Sequence, residues 1–201
     1  MARDVATACA YGNDSVALAS EHGFPLWAAL GRILQGWAGA QQGEATTATA
    51  LIRDGLTAAE ATGARVYTPF CLTLLAEALA LAGKIEEGLA ALDDALATAA
   101  VLGERGWDAE IHRLRGELTG RLPCPDPAKA EESFRTALAI AREQGTRGYE
   151  LRAATSLTRL WGEQGRRTEA RDLLAPVYGS FTEGFDTQDL KEAKALLDEL
   201  A

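Results

Sequence analysis

The sequence predicts an all-α fold, a right-handed solenoid of helical hairpins with about four repeats of about 40 residues. The first observation is that four glycines are each followed, four residues later, by a large aromatic residue. These pairs are Gly23 with Trp27, Gly63 with Tyr67, Gly103 with Trp107 and Gly145 with Tyr149. The glycine spacings of 40, 40 and 42 residues are typical of a repeat protein. The second observation is a composition of 47% hydrophobic but only 6% aromatic residues, which suits close packing of helices.

Each repeat is divided near its middle by a second signal that ends one helix and begins the next. Gly43, Gly83 and Gly165 supply this signal in three repeats, and Pro125-Asp126-Pro127 supplies it in the third repeat. Glycine ends helices because it adopts the left-handed conformation without a Cβ clash. Proline begins helices because its missing N–H costs nothing in a first turn. Each repeat is therefore predicted to be two helices.

These signals predict helix boundaries along the whole chain. The first helices of the hairpins are predicted over 25–42, 65–82, 105–121 and 147–164, and the second helices over 44–62, 85–102, 127–144 and 167–180. Equivalent apolar positions of the second helices form a column, which predicts a buried stripe. The column contains Ile52, Leu92, Phe134 and Leu174.

Both ends of the chain also carry helical patterns. Residues 14–22 repeat the tail of the second-helix pattern, so we expect the chain to begin within a repeat, as a fragment of a longer protein. A last helix at about 187–200 is predicted to cap the C-terminal end. We therefore interpret 1–201 as a single superhelical domain. Its parts are a partial repeat over 1–22, repeats at about 23–62, 63–102, 103–144 and 145–181, and a cap over 187–200.

Charge and cysteine content exclude several classes of function. The formal net charge is −9, and residues 104–173, which hold 13 of the 20 Lys and Arg residues, also hold 12 acidic residues. This interleaving leaves no basic stripe for a nucleic acid. Cys9, Cys71 and Cys124 are far apart and form no CxxC motif, so neither a disulfide framework nor a zinc site is predicted. The absence of a signal peptide pattern and of a long apolar run predicts a cytoplasmic protein without a membrane span.

The second repeat carries the pattern of a known family. Aligning Gly83 with the interhelix glycine of the tetratricopeptide repeat (TPR) consensus places Leu75-Ala76 at its Leu-Gly, Leu79 at its Tyr, Leu92 at its Phe and Ala95 at its last Ala. The chain therefore resembles TPR proteins. Residues 150–200 most closely resemble the C-terminal TPR region of large bacterial predicted ATPases, which often carry an adenylate or guanylate cyclase domain or a DNA-binding domain. The resemblance implies a sensor or interaction arm of a signalling protein and transfers no catalytic residue.

The residues also predict that the chain is not an enzyme and needs no cofactor or metal. No GxxxxGK[ST] phosphate loop is present, and no strand pattern suggests a cyclase domain. His22 and His112 are the only histidines, and His112 lies among charged residues on a predicted helix, where a solvated or structural role is the commoner one.

The first helices of TPR arrays line a concave groove, and the consensus phase predicts which side chains face it. The candidate groove-binding residues are Ile33, Trp37, Phe70, Thr73, Glu77, Arg113, Glu117, Arg152 and Arg159. The Lys and Asn pair with which some TPR domains hold a peptide carboxylate is missing from the matching positions. Three arginines of the set could bind an anionic group, or they could form a salt-bridge network with nearby acids such as Glu110. The aromatic residues that begin each first helix are interpreted as packing residues, with a stacking platform as the alternative.

These observations favour a protein-interaction module that binds a peptide or another domain of its parent protein in the groove. The alternative is a sensor in which a small-molecule effector fills the groove. No nucleic-acid or membrane partner is predicted. A homo-oligomer is a further possibility, formed through the open N-terminal helix.

Overall fold

The computed structural model describes residues 4–200, which form ten α-helices, one short 3-10 helix and no strand. The α-helices are α1 (Val5–His22), α2 (Pro25–Gln41), α3 (Ala45–Ala61), α4 (Thr68–Leu81), α5 (Ile85–Leu102), α6 (Asp108–Gly120), α7 (Pro127–Gln144), α8 (Arg147–Glu163), α9 (Arg167–Gly179) and α10 (Gln188–Glu199). The 3-10 helix (Arg105–Trp107) precedes α6. The described residues divide into two compact units, an N-terminal unit over 4–107 and a C-terminal unit over 108–200.

The predicted helices are present, and α5 and α7 have the predicted bounds. Their ends show why: Gly103 ends α5 with a φ of 71°, and the side chain of Asp126 caps α7 by accepting a hydrogen bond from the Lys129 N–H at 3.1 Å. Helix α4 begins three residues later than predicted, at Thr68, because Pro69 is accommodated best in a first turn.

The N-terminal helix is longer than the tail that the sequence pattern predicted at 14–22. Helix α1 covers Val5–His22 and packs along α2. It begins at Asp4, whose Oδ1 accepts a hydrogen bond from the Thr7 N–H at 3.0 Å. This Asp cap satisfies one of the first N–H groups of the helix and extends it well before the apolar pattern becomes recognisable.

The hairpins of the N-terminal unit are held by close approach of their two helices. Ile52 of α3 is fully buried, and a Cβ on Gly36 of α2 would lie 2.6 Å from its Cγ1. The contact is reciprocal, since a Cβ on Gly55 would lie 2.5 Å from Cγ1 of Ile33. Glycine on each helix therefore admits the isoleucine of the other. Ile33, predicted to face the groove, is instead 1% exposed and packs inside this hairpin.

In the C-terminal unit, α6 pairs with α7, α8 with α9, and α10 packs on both α8 and α9. The core contains Phe134 and Leu174 of the predicted apolar column, which are 5% and 0% exposed. Leu174 packs with Leu190 and Ala193 of α10 in one cluster, and Phe134 packs with Leu200 in another. Helix α10 therefore packs over α8 and α9.

A charged cluster around Trp161 fastens α8 to α7. Two guanidinium groups lie over its indole ring, that of Arg135 at 5.2 Å and that of Arg166 at 4.4 Å from the ring centroid. Both arginines also form salt bridges to Glu131, at 2.8 and 3.2 Å. Burial raises the pKa of Glu131, but hydrogen bonds from Arg135 and Arg166 outweigh it, so that the pKa is lowered.

Candidate functional site

The predicted groove residues of the N-terminal unit include one part-buried hydrogen bond between successive first helices. Trp37 of α2 is 7% exposed, and its indole N–H donates a hydrogen bond to Oε2 of Glu77 on α4 at 2.5 Å. A charge-assisted bond of this kind fixes both side chains. The structure therefore brings Trp37 and Glu77 together and gives the Trp37 indole a role in joining α2 to α4.

The other two candidates of this unit, Phe70 and Thr73, lie one turn apart on α4. Thr73 is 3% exposed, and its hydroxyl donates to the carbonyl oxygen of Phe70 at 2.6 Å. The Phe70 ring is half-buried against Trp107, with ring centroids 4.5 Å apart. Of the five N-terminal candidates on α2 and α4, Phe70 and Glu77 retain partial exposure.

The aromatic residues that begin the first helices both pack and remain exposed. Trp27 and Tyr67 contact each other, with ring centroids 6.4 Å apart, as the packing interpretation predicts. Their exposed fractions are nevertheless 51% and 39%. The contact between Trp27 and Tyr67 thus leaves both rings partly exposed to solvent.

In the C-terminal unit, Arg113 is the centre of a buried ion network. Its guanidinium donates to both carboxylate oxygens of Glu110, at 2.9 and 2.7 Å, and also to Glu117. The Ser156 hydroxyl of α8 donates to the same Glu117 at 3.0 Å. The side chains of Arg113 and Glu110 are each 7% exposed. The predicted salt-bridge alternative therefore describes this arginine.

Arg152 of α8 extends the network toward α10. It forms a salt bridge to Glu110 at 2.9 Å and lies 3.8 Å from Asp189, with a side chain only 12% exposed. Burial and the negative charge of Glu110 raise the pKa of the neighbouring Tyr149 to about 12. The Tyr149 hydroxyl is therefore protonated at neutral pH, and the acids and arginines carry the charge of this region.

Arg159 differs from the other two arginines. Its side chain is 48% exposed, and among the described residues it has a single ion-pair partner, Glu192 of α10, at 3.9 Å. That distance exceeds the range of a hydrogen bond. Arg159 is thus the predicted groove arginine whose guanidinium donors are the most available.

An open cleft of about 460 Å³ lies beside these residues, between α6, α7, α8 and α10. The arginines that line it are Arg113, Arg121, Arg152 and Arg159. Its acidic lining residues are Glu117, Glu163, Asp189 and Glu192. Phe134 and Leu160 contribute an apolar wall. The cleft is therefore balanced in formal charge and combines polar rims with an apolar side.

Sequence reasoning missed the contribution of α10 to this cleft. Asp189 and Glu192 are three residues apart, so that a helix places them on one face, and this spacing could have identified them. The prediction of α10 as a capping helix gave no role to its acidic residues. Ser156 was also missed because a lone serine within a helix carries no recognisable signal.

Residues 4–200 contain no group of three or more His, Cys, Asp or Glu side chains that could hold a metal ion. Cys71 is buried, and burial raises its pKa to about 12, which keeps the thiol protonated and unreactive. None of the helices in this part of the chain is long and apolar enough to cross a membrane.

Comparison with known proteins relates the chain to a longer bacterial protein and to TPR-like structures. No protein-family model matches the chain. The uncharacterized protein R02095 of Rhizobium meliloti (strain 1021) is 32% identical over 128 residues, which are 64% of this chain and 12% of that relative. The chain thus spans a small part of the length of the relative it matches.

Two solved structures show the fold. BtubC (BKLC) from P. vanneervenii superposes with a TM-score of 0.71 at 15% identity, covering 98% of this chain and 89% of that one. The TPR-like repeats of a putative kinesin light chain from Podosopora anserina superpose with a TM-score of 0.61 at 18% identity, covering 84% of this chain and 83% of that one. The predicted fold class is confirmed: the chain has the all-helical fold of a TPR-like α-solenoid.

Proposed function

We propose that the chain is a non-catalytic protein-interaction module that binds a peptide or a partner domain. The observation that carries the proposal is the open cleft of about 460 Å³ on the first helices α6 and α8, which presents charged rims beside an apolar wall. Such a surface binds by shape and charge and requires no reacting group. The TPR-like fold supports the proposal, since stacked hairpins present continuous surfaces to partners.

We further propose that the module acts in the bacterial cytoplasm, as the regulatory arm of a signalling ATPase or cyclase. Its predicted repeats over 23–62, 63–102, 103–144 and 145–181 would then form one domain with a common groove. The match to only 12% of a longer bacterial relative supports a place within a larger protein.

This regulatory role is tested on the complete open reading frame that encodes the chain. If the frame encodes an ATPase or cyclase domain, we expect the purified product to change its turnover when residues 1–201 are deleted. A frame without such a domain, or turnover unaffected by the deletion, would contradict the regulatory role and leave an adaptor function to be tested by crosslinking.

A small-molecule effector is the second candidate ligand, because the cleft volume lies within the range of about 300–1,000 Å³ that small-molecule sites occupy. A thermal-shift screen of metabolite-sized effectors separates the two functions. A midpoint that rises with effector concentration favours the sensor, because a ligand of the folded state stabilises it by mass action. Unchanged midpoints throughout the screen favour a macromolecular partner.

A further inference from the structure

We propose that Arg159, in the cleft of the C-terminal unit, binds the carboxylate of an acidic side chain of a peptide. In the free protein Glu192 of α10 is paired with Arg159, and the peptide carboxylate displaces it. The inference rests on the proposed function as a peptide-binding module and names the chemistry of its ligand. It also assigns α10 a second role, because the capping helix supplies the competing acid.

The three arginines of α6 and α8 differ in how fully they are occupied. Arg113 and Arg152, with side chains 7% and 12% exposed, are held by short contacts to buried Glu110. Arg159 is 48% exposed and 3.9 Å from its acidic partner. A guanidinium group offers five N–H donors in a planar fork that matches a carboxylate. Arg159 therefore retains the donors for a closer, two-bonded contact with an incoming carboxylate.

The apolar side of the cleft gives this carboxylate a neighbour. Phe134 and Ala130 of α7 and Leu160 of α8 line the same cleft as Arg159, and Leu160 is partly exposed. An apolar side chain beside the acid can contact this wall and lose water-exposed surface. The ligand that fits is a peptide segment in which Asp or Glu adjoins an apolar residue.

The acidic lining selects a single carboxylate over a polyanion. Glu163 of α8 and Glu192 of α10 lie in the same cleft as Arg159, together with the more deeply engaged Glu117 and Asp189. A phosphate-rich ligand would bring several negative charges close to these acids, and like charges at close range are repulsive. One carboxylate that takes the place of Glu192 leaves the charge balance of the cleft unchanged when Glu192 turns into solvent.

Displacement of Glu192 is feasible because its contact with Arg159 is weak and the hydrogen bond that it accepts from Gln188, at 2.9 Å, lies at an exposed position of the same helix. The side chains of the pair are 48% and 28% exposed, and the two charged atoms are 3.9 Å apart. Exposed pairs of this kind contribute little to stability, since water solvates both partners and the side chains lose freedom when they pair. Glu192 therefore reduces the affinity for a peptide only modestly, and its removal should raise that affinity.

The test uses short peptides of random, otherwise uncharged sequence with a central Glu-Leu, Gln-Leu or Lys-Leu pair, and the full chain as the receptor. Fluorescence polarisation measures the affinity of the tightest peptides for the parent and three variants. We expect Glu-Leu peptides to bind best and Arg159→Gln to weaken them by at least about tenfold. Arg171→Gln, which removes the same charge from an exposed position on α9, should leave their affinity unchanged. Glu192→Gln should strengthen binding by about two- to fivefold.

Each outcome bears on a different part of the proposal. If peptides bind Arg159→Gln and Arg171→Gln equally well, or if Lys-Leu peptides bind best, the Arg159 site is overturned. Either result would still be consistent with peptide binding elsewhere on the chain. Weaker binding by Glu192→Gln would show that Glu192 positions Arg159 and would overturn its role as competitor. Binding of no peptide from any set would contradict both this inference and the peptide-binding part of the proposed function. Circular dichroism on each variant verifies that the helices are retained.

Discussion

Replacing Gly116 by alanine should destabilise the protein, although alanine is the better helix former. Gly116 lies within α6, and a Cβ there would lie 2.5 and 2.7 Å from ring atoms of Phe134 and 3.0 Å from the backbone oxygen of Ala130. The aromatic ring must shift, and overpacking of this kind costs about 1–3 kcal/mol. Alanine offsets about 1 kcal/mol of this through its helix propensity. The net loss in the free energy of unfolding is therefore about 1 kcal/mol, with a range of about 0–2 kcal/mol.

Gly148 of α8 provides the matched control, since no atom lies within 4 Å of a Cβ built there. Gly148→Ala keeps the propensity gain without the clash, so it should raise the free energy of unfolding by about 0.5 kcal/mol in the first turn of the helix. Urea unfolding followed by circular dichroism measures both variants against the parent. The reasoning would be refuted if Gly116→Ala stabilised the protein as much as Gly148→Ala does.

Three further predictions concern charge and assembly. Arg113→Met should lower the free energy of unfolding by about 3 kcal/mol, because it removes a positive charge that pairs with buried Glu110. Arg53→Met removes an exposed ion pair and should cost less than about 0.5 kcal/mol in the same urea experiment. Equal losses for the two variants would contradict the buried network. The folded-state pKa of Glu131 is lowered, so the stability that its ionised carboxylate contributes is present at neutral pH and lost as the pH falls through that pKa. Glu131→Gln should therefore destabilise the protein more at neutral than at acidic pH. A loss of stability that does not depend on pH would contradict this prediction. Self-association through α1 would use its exposed side chains Tyr11 and Leu18. Light scattering should then show a dimer for the parent and a monomer for Leu18→Glu. A parent protein that stays monomeric at high concentration would exclude this interface.

The candidate site was only partly predictable because the consensus phase locates positions on a helix but not the neighbours they meet. The phase correctly placed Arg113, Arg152 and Arg159 on α6 and α8, where the first two lie in one ion network and the third lies beside the cleft. It placed Ile33 on the groove, whereas the glycine at position 55 of the opposite helix admits that side chain into the hairpin. Arg113 is engaged by Glu110 and Glu117 of its own helix, at spacings that a sequence can show, whereas the exposure of Arg159 depends on its distance to α10, which no local pattern contains.

The sequence by itself determined the helices and their repeat, because these depend on local interactions. Left-handed glycines such as Gly103 and Gly145 end helices, and the apolar column of the second helices sets the buried face. Only the tertiary structure decided which charges are buried and paired. Arg113 pairs with Glu110 and Glu117 on its own helix, but the contacts of Arg152 with Glu110 and of Ser156 with Glu117 join distant residues and form only after α6 and α8 have packed together. Charge pairing between helices therefore depends on packing, whereas helix boundaries depend on the local sequence.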